Sequence, residues 1–305
     1  MKQSFYSNGK LLITGEYLVL DGAEALAVPT KYGQTIEIVP NNKKSIVWKS
    51  MDANLNIWFE AELFWTEIIE NKILLNFSET KKTLIQILHY AWRANPTADF
   101  IQQGFDVVTQ LSFPRAWGLG TSSTLINNIA KWFQVNPFIL LSESFGGSGY
   151  DIACAETDQP IIYQRIEEQP LFKSVAFEPT FHENIYFVYL NKKQNSSAAI
   201  AAYYNKRQNV SRQIREISSI TQQIIHCTNE SNFQHLLLEH EAILSNILEM
   251  ETVQETYFSD FNGVVKSLGA WGGDFVLVHS KSNPKMYFQN KGYQTILNFK
   301  EMVLG

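Results

Sequence analysis

The stretch whose residue types most clearly suggest a chemical function lies at residues 113–124, FPRAWGLGTSST. Glycines let backbone N–H groups approach an anion closely, and the first turn of a helix adds unpaired N–H donors and the positive end of its dipole. A helix-compatible apolar segment follows at 125–133. The pattern predicts a phosphate-binding loop at a helix start, and the alternative is an ordinary loop with a Ser/Thr N-cap. The predicted loop consists of Gly118, Leu119, Gly120, Thr121, Ser122 and Ser123.

Two charged residues stand beside other glycines. Lys10 follows Gly9 at the mouth of a predicted strand, where its amine can reach a phosphate as a point charge. Asp151 follows the glycine-rich turn at 146–150, which can aim a carboxylate at a hydroxyl as a general base. The alternatives are a solvated lysine at a strand end and an aspartate that caps a helix.

The composition excludes several classes of protein. Hydrophobic residues make up 45% of the 305 positions and charged residues 18%, which is typical of a globular protein with a sizeable core. The formal net charge of −5 gives no excess of positive charge for nucleic acid. The two cysteines, Cys154 and Cys227, make neither a disulfide framework nor metal-finger spacing. No segment has the pattern of a signal peptide or a membrane span, so we expect a cytoplasmic protein without a membrane partner.

The hydrophobic pattern predicts an α+β first half. Period-two alternation and β-branched residues indicate strands, and apolar residues at helical spacing indicate helices. We expect a hairpin turn at 41–44 between two of the strands. The predicted strands lie at 11–13, 35–39, 45–49, 54–59 and 104–109, and the predicted helices at 82–94 and 137–145.

The second half has a similar mixture of elements. Its order of strands and helices suggests a ferredoxin-like α+β sandwich. A polar, broken stretch at 165–180 marks the expected domain boundary, and 191–198 has the pattern of a capped helix start with positive charge. The predicted strands lie at 160–164, 184–190, 275–279 and 287–288, and the predicted helices at 211–227, 231–248, 252–267 and 296–302.

Taken in chain order, the glycine-rich segments resemble the motifs of the GHMP kinases. This superfamily of small-molecule kinases is named for galacto-, homoserine, mevalonate and phosphomevalonate kinases. Within the mevalonate and phosphomevalonate kinases, Gly-Ser-Gly-Tyr-Asp at 147–151 resembles the catalytic-aspartate segment of the phosphomevalonate kinases. Gly-Glu-Tyr at 15–17 points the same way, because mevalonate kinases usually have histidine in place of the tyrosine. The motif-like segments are 9–11 with 15–17, 118–123, 147–151 and 269–274.

The resemblance implies a two-domain α+β fold. Residues 1–170 would form an N-terminal ribosomal S5 domain 2-like domain that carries the ATP-binding loop. Residues 171–305 would form the C-terminal ferredoxin-like α/β sandwich of the GHMP kinases.

The resemblance also implies roles for individual residues. Residues 118–123 would hold the phosphates of ATP, and Ser122 and Glu143 would bind Mg²⁺. Asp151 would accept the proton of the acceptor hydroxyl, and Lys10 would keep that aspartate ionised and stabilise charge on the transferred phosphoryl group. The expected acceptor contacts are Glu16, Tyr17, Ser148, Gly272, Gly273 and Asp274.

Two positions depart from the superfamily pattern. Asn8 stands where a proline is usual, and Trp271 stands where the third motif usually has a glycine. The sequence predicts an ATP- and Mg²⁺-dependent kinase of a small molecule, monomeric or homodimeric, with phosphomevalonate slightly ahead of mevalonate as acceptor. The alternatives are a sugar or homoserine kinase of the same superfamily, and a protein of this fold that binds nucleotide or metabolite without turnover.

Overall fold

The computed structural model describes residues 1–96, 103–167, 169–194 and 196–305. The chain divides into two compact units, and each unit consists of segments that are separated in the sequence. The predicted domain boundary at residue 170 stays a prediction, and the stretch around it includes Glu168, which lies outside the described residues. Unit 1 consists of Met1–Gly9, Tyr32–Arg115 and Leu119–Glu156, and unit 2 of Lys10–Lys31, Ala116–Gly118 and Thr157–Gly305.

The described residues form strands and helices along the whole chain. The strands are β1 (Gln3–Leu12), β2 (Ala25–Asn41), β3 (Ser45–Met51), β4 (Ile57–Phe64), β5 (Gly104–Leu111), β6 (Ile161–Ile166), β7 (Gln169–Ser174), β8 (Ile185–Tyr189), β9 (Val264–Ser267), β10 (Phe275–His279) and β11 (Ile296–Asn298). The helices are α1 (Trp65–Ile69), α2 (Glu79–Ala94), α3 (Thr121–Phe133), α4 (Pro137–Ser144), α5 (Tyr150–Glu156), α6 (Ser196–Lys206), α7 (Ser211–Ile225), α8 (Glu230–Leu248), α9 (Val253–Tyr257), α10 (Lys285–Asn290) and α11 (Phe299–Met302). The predicted helix start at 191–198 includes Asn195, which lies outside the described residues.

The sheet of unit 1 has the strand order β4-β3-β5-β2, and β1 pairs with β2. The hairpin predicted at 41–44 is wrong, because β5 lies between β2 and β3 and runs parallel to β3. The Asn41 side chain donates to Asp106 on β5 (2.8 Å) and accepts from the Lys43 backbone N–H (2.9 Å). The turn at 41–44 therefore carries the chain past β5 instead of joining neighbouring strands.

Helices α1 to α5 belong to unit 1, and their apolar faces contribute to its core. Ser78 is the N-cap of helix α2, and its hydroxyl accepts from the Lys81 backbone N–H (3.3 Å), which satisfies one of the unpaired donors of the first turn. Its buried residues Leu84, Ile85 and Leu88 recur at helical spacing and face the core. The core therefore fixes α3 and α5, which carry the predicted loop and aspartate.

Unit 2 contains a four-stranded antiparallel sheet of order β11-β8-β10-β9. Helix α8 packs against β9 and buries Phe233, Leu237 and Leu244. Strands β6 and β7 pair with each other, and β6 also pairs with the first residues of β2. The predicted α+β fold class is confirmed.

Three elements of unit 2 differ from their predictions. The helix predicted at 252–267 is wrong beyond Tyr257, because Val264–Ser267 forms β9, a strand rich in β-branched residues that pairs with β10. The strand predicted at 287–288 is wrong, since these aromatic residues lie in α10. The helix predicted at 296–302 is wrong in its first half, where β11 pairs with β8 before Asn298 caps α11.

Among the described residues, no helix is both long and apolar enough to cross a membrane.

Candidate active site

The predicted phosphate loop leads into the start of α3 in unit 1. Its N-cap is Gly120, with φ 99° and ψ 43°, a conformation that favours glycine. The hydroxyls of Ser123 and Thr124 both donate backward to the Gly120 carbonyl oxygen (3.0 and 2.9 Å). In the described part of the chain no side chain caps this helix start, so the alternative of a Ser/Thr N-cap does not apply. The backbone N–H groups of the first turn can therefore bind an anion. Along the loop Leu119 is buried, Thr121 half-buried and Ser122 exposed.

A buried polar network lies behind this helix start. Asn127 donates to the Ser7 hydroxyl on β1 (3.0 Å) and to the Ala155 carbonyl on α5 (3.2 Å). Asn128 accepts from Ser7 (2.7 Å) and donates to the Gln34 carbonyl on β2 (2.9 Å). The network therefore fixes α3 against α5 and two strands. Sequence reasoning missed it, although two asparagines inside the apolar stretch 125–133 were a signal that could have been followed.

Asp151 lies in the first turn of α5, directly after a glycine turn. Gly146, Gly147 and Gly149 all have positive φ, and the Gly149 carbonyl accepts from Ile152 and Ala153. The Asp151 carboxylate is half-buried and accepts from the neighbouring Ile152 N–H (3.1 Å). The turn therefore aims this carboxylate while leaving part of it accessible.

The other predicted residues of unit 1 are less enclosed. Ser148 is half-buried in the glycine turn, and Glu143 is exposed on α4. Within the described ranges, no group of three or more His, Cys, Asp or Glu side chains could hold a metal ion. Mg²⁺ that binds together with nucleotide phosphates needs only one or two protein ligands. The prediction for Ser122 and Glu143 therefore stays a prediction.

In unit 2, three predicted residues come together. Lys10 lies near the end of β1, and its Nζ donates to the Gly118 carbonyl oxygen (2.9 Å). The Asp274 carboxylate lies so close to Gly118 that a Cβ there would come within 2.3 Å of it. Burial raises the pKa of Asp274, and the positive charges of Lys10 and Lys193 oppose that rise. The Lys10 ammonium group, the Asp274 carboxylate and the backbone of Gly118, which has no side chain, therefore lie together.

The third motif holds Asp274 in place through its backbone. Asp274 has φ 52°, its N–H donates to the Lys192 carbonyl (2.7 Å), and its carboxylate accepts from the Gln194 N–H (3.2 Å). The Gln194 side chain crosses Gly273, where a Cβ would approach it to 2.2 Å, and neighbouring Gly272 has φ 76°. Both glycines are therefore needed for the path of this loop.

Trp271 is a buried residue of unit 2. Its side chain is 5% exposed, and its indole N–H donates to the Glu251 carbonyl (2.9 Å). Its backbone N–H donates to the Tyr17 hydroxyl (2.9 Å). A buried ring with its polar group satisfied acts as a packing residue of the third motif.

Trp271→Ala is expected to destabilise the protein by about 3–5 kcal/mol, because it leaves a large cavity. Urea unfolding would measure the loss. Trp271→Phe is the control, since it keeps most of the packing and loses one hydrogen bond worth about 1 kcal/mol. An unchanged free energy of unfolding for Trp271→Ala would contradict the packing role.

Glu16 lies in a buried ionisable cluster of unit 2, which comprises Glu16, His240, Glu241 and Lys266. Glu16 Oε1 lies 2.6 Å from Lys266 Nζ, and Glu16 Oε2 lies 3.2 Å from His240 Nε2. The Gly15 N–H donates to His240 Nε2 (3.0 Å), so this nitrogen carries a lone pair and the ring is neutral. Burial lowers the pKa of His240 to about 4 and raises the pKa of Glu241 to about 8. At neutral pH the cluster is therefore one ion pair flanked by two neutral groups.

The free energy of unfolding is expected to fall as pH rises from about 6.5 to 8. Folded Glu241 binds a proton that an unfolded glutamate, with a pKa of about 4.3, has already lost. Stability therefore decreases with pH until the folded pKa is reached, by about 1.5 kcal/mol over this window. The lowered pKa of His240 and of Glu16 acts in the opposite direction, but only below about pH 6.5.

Urea unfolding at several pH values would measure this dependence. Glu241→Gln should flatten it, and Glu239→Gln, on the exposed side of the same helix, should leave it unchanged. A wild-type protein equally stable at both ends of the window would contradict the protonated state of Glu241.

Comparisons with known proteins support the fold. No family model matches the chain, and no curated protein matches its sequence. Solved structures do match: mevalonate kinase from Methanococcus jannaschii has a TM-score of 0.69 at 16% identity, with 100% of this chain and 99% of that chain covered. Streptococcus pneumoniae phosphomevalonate kinase, in complex with phosphomevalonate and AMPPNP, has a TM-score of 0.70 at 15% identity, with 97% and 100% covered. Lactococcus lactis galactokinase complexed with galactose has 0.71 at 14%, with 100% and 94% covered.

These proteins are GHMP kinases, and each match extends over nearly all of both chains. The chain therefore has the GHMP kinase fold. The resemblance drawn from the sequence motifs is confirmed at the level of the fold.

Proposed function

We propose that this chain is an ATP- and Mg²⁺-dependent kinase that phosphorylates a small molecule. The observation that carries the proposal is the grouping of Lys10, Gly118 and Asp274 in a chain with the GHMP kinase fold. Each of the three belongs to a different glycine motif. The uncapped start of α3 adds backbone donors suited to phosphate oxygens.

The proposed reaction transfers the γ-phosphoryl group of ATP to an acceptor oxygen, which belongs to the phosphate group in phosphomevalonate and to a hydroxyl in mevalonate or a sugar. The acceptor oxygen forms a bond to the γ-phosphorus, the bond from that phosphorus to the bridging oxygen breaks, and ADP leaves with the bond electrons. Where the acceptor is a hydroxyl, Asp151 takes its proton, and with either acceptor Lys10 stabilises negative charge on the transferred group. Residues 118–123 hold the phosphates.

The exposed hydroxyl of Ser122 and the exposed carboxylate of Glu143 are oxygen donors of the kind that Mg²⁺ prefers. We propose them as its protein ligands in the presence of ATP. Bound Mg²⁺ would neutralise phosphate charge.

For the acceptor we propose phosphomevalonate, with mevalonate next. The support is the sequence 147–151 and Glu-Tyr at 16–17, together with similarity to solved mevalonate and phosphomevalonate kinases. The similarity to a galactokinase structure keeps a sugar acceptor as the second candidate.

An ADP-release assay with mevalonate, phosphomevalonate, homoserine and galactose would test the proposal, with Asp151→Asn as the inactive control. Turnover of one acceptor that depends on both ATP and Mg²⁺ is expected. ATP binding without turnover of any acceptor would instead indicate a protein that binds nucleotide without catalysis.

A further inference from the structure

We propose that Glu16 is a positioning residue. Its buried ion pair with Lys266 fixes the first glycine motif on β9 and thereby sets the relative positions of Lys10 and Asp274. This inference rests on the proposed kinase function, and it gives Glu16 a different role from the acceptor contact expected from the sequence.

The ion pair is fully enclosed within unit 2. Lys266 is 0% exposed and Glu16 is 2% exposed, and their charged atoms lie 2.6 Å apart. Lys266 also donates to the Ser267 carbonyl (2.8 Å). A lysine is almost never fully buried without a counter-ion, so Lys266 holds Glu16 firmly in place.

The other members of the cluster leave Glu16 as the ionised partner of Lys266. Glu241 is protonated at neutral pH, and its carboxyl group accepts from the Ser267 N–H (3.1 Å). His240 is neutral and accepts from Gly15, the residue before Glu16. The backbone of Gly15 is therefore bound by His240 on α8, and the side chain of Glu16 is bound by Lys266 on β9.

A second contact ties the same two motifs together. The Trp271 backbone N–H donates to the hydroxyl of Tyr17, the residue after Glu16. Lys266 lies just before the third motif and Trp271 lies within it, so the first motif is attached to the third at two points. Lys10 lies upstream of this turn and Asp274 downstream of Trp271, which means that slippage between the motifs would separate the two charged groups.

Enclosure also argues against direct contact between Glu16 and an acceptor. One carboxylate oxygen faces Lys266 and the other faces His240, both of which are fully buried. Any effect of Glu16 on the reaction must therefore pass through the motifs that it holds.

The test compares Glu16→Gln, Lys266→Met and the double variant that carries both changes. Each single variant leaves one buried charge without its partner, so loss of stability is expected. The double variant leaves neither charge and should recover stability. Its kcat should nevertheless remain roughly 10- to 100-fold below wild type, because misplacement by about 1 Å is costly for group transfer. Its affinity for ATP, measured by calorimetry, should change by less than about threefold.

The matched control is the exposed ion pair between Glu178 and Lys300, also in unit 2. The corresponding double variant, Glu178→Gln with Lys300→Met, should keep wild-type kcat. If the buried double variant recovers both stability and kcat, the pair serves stability alone and the inference is overturned.

Amide hydrogen exchange separates this inference from the proposed function. Exchange in residues 268–274 should rise at least about tenfold in the buried double variant, while exchange in α3 stays unchanged. Should wild type show no turnover with any acceptor, this rise would still support the positioning role and only the kinase proposal would fail. Unchanged exchange in residues 268–274 would overturn the positioning role, whatever the activity of the wild-type protein.

Discussion

Asp151→Asn should lower kcat by roughly 10²–10⁴-fold, the range typical of a lost general base. The amide keeps the shape of the side chain but neither accepts the proton of a hydroxyl acceptor nor carries negative charge. The glycine turn before α5 aims this carboxylate, and the variant should leave that turn intact. Affinity for ATP should change far less, because the lost interaction is made mainly in the transition state.

Rapid-quench measurement of the chemical step would test this prediction once an acceptor is found. Lys10→Met should give a comparable loss, and combining it with Asp151→Asn should add little, because the two residues act as a unit in the proposed reaction. Asp158→Asn, at an exposed aspartate, is the control. A kcat for Asp151→Asn within a few-fold of wild type would show that this residue only shapes the start of α5.

Gly120→Val should weaken ATP binding by roughly 10²–10⁴-fold. A branched side chain keeps the phosphates away from the first-turn donors of α3, and losing two charge-assisted hydrogen bonds costs about 1.5–3 kcal/mol each. The backbone at Gly120 also has positive φ, which adds strain of about 1–3 kcal/mol for valine.

Calorimetric titration with ATP, on protein shown to be folded, would measure the effect. Gly146→Val is the matched control, because Gly146 also has positive φ but nothing lies within 4 Å of a Cβ there. It should suffer similar backbone strain and keep its affinity for ATP. Equal affinities of the two variants would contradict the phosphate-loop assignment.

The sequence predicted the elements whose pattern is local. Strand β10 was predicted with its observed bounds, and α3 was predicted after the Gly120 turn, because glycine and hydrophobic periodicity act over a few residues. The insertion of β5 between β2 and β3 was not predictable in this way. It depends on pairing between distant parts of the chain, and the turn at 41–44 looks locally like a hairpin.

The predictions for short elements of unit 2 were wrong for the same reason, because contacts with distant parts of the chain decide these elements. The segment Val264–Ser267 is a strand because β10 pairs with it, and its local pattern was equally consistent with a helix. Tyr287 and Phe288 have strand propensity, yet they lie in α10, which follows the Asn283 side chain that accepts from the Lys285 N–H (2.9 Å). Strand pairing therefore decided the first of these elements, and in the second the ring of Phe288 packs against Phe258 and Phe261 (ring centroids 5.0 and 5.2 Å).

In the candidate site, too, local motifs were predictable from the sequence and a contact between distant residues was not. Sequence motifs predicted Lys10, Gly118 and Asp274, and the structure brings these three together in unit 2. The motifs gave no indication that Glu16 pairs with Lys266, because that partner lies on a short strand outside every motif. The roles of individual residues in binding and catalysis remain predictions for the experiments above.

The ion pair between Glu16 and Lys266 also constrains how a newly made chain can mature. Its partners are 250 positions apart, so the first motif cannot form its native ion pair until β9 has left the ribosome. At about 5–20 residues per second, that wait is on the order of ten seconds or more. The segment with Leu18 and Val19, buried in the finished protein, packs against β6 and α7. It therefore stays uncovered until those elements emerge, which makes the nascent chain a client for chaperones that bind apolar segments.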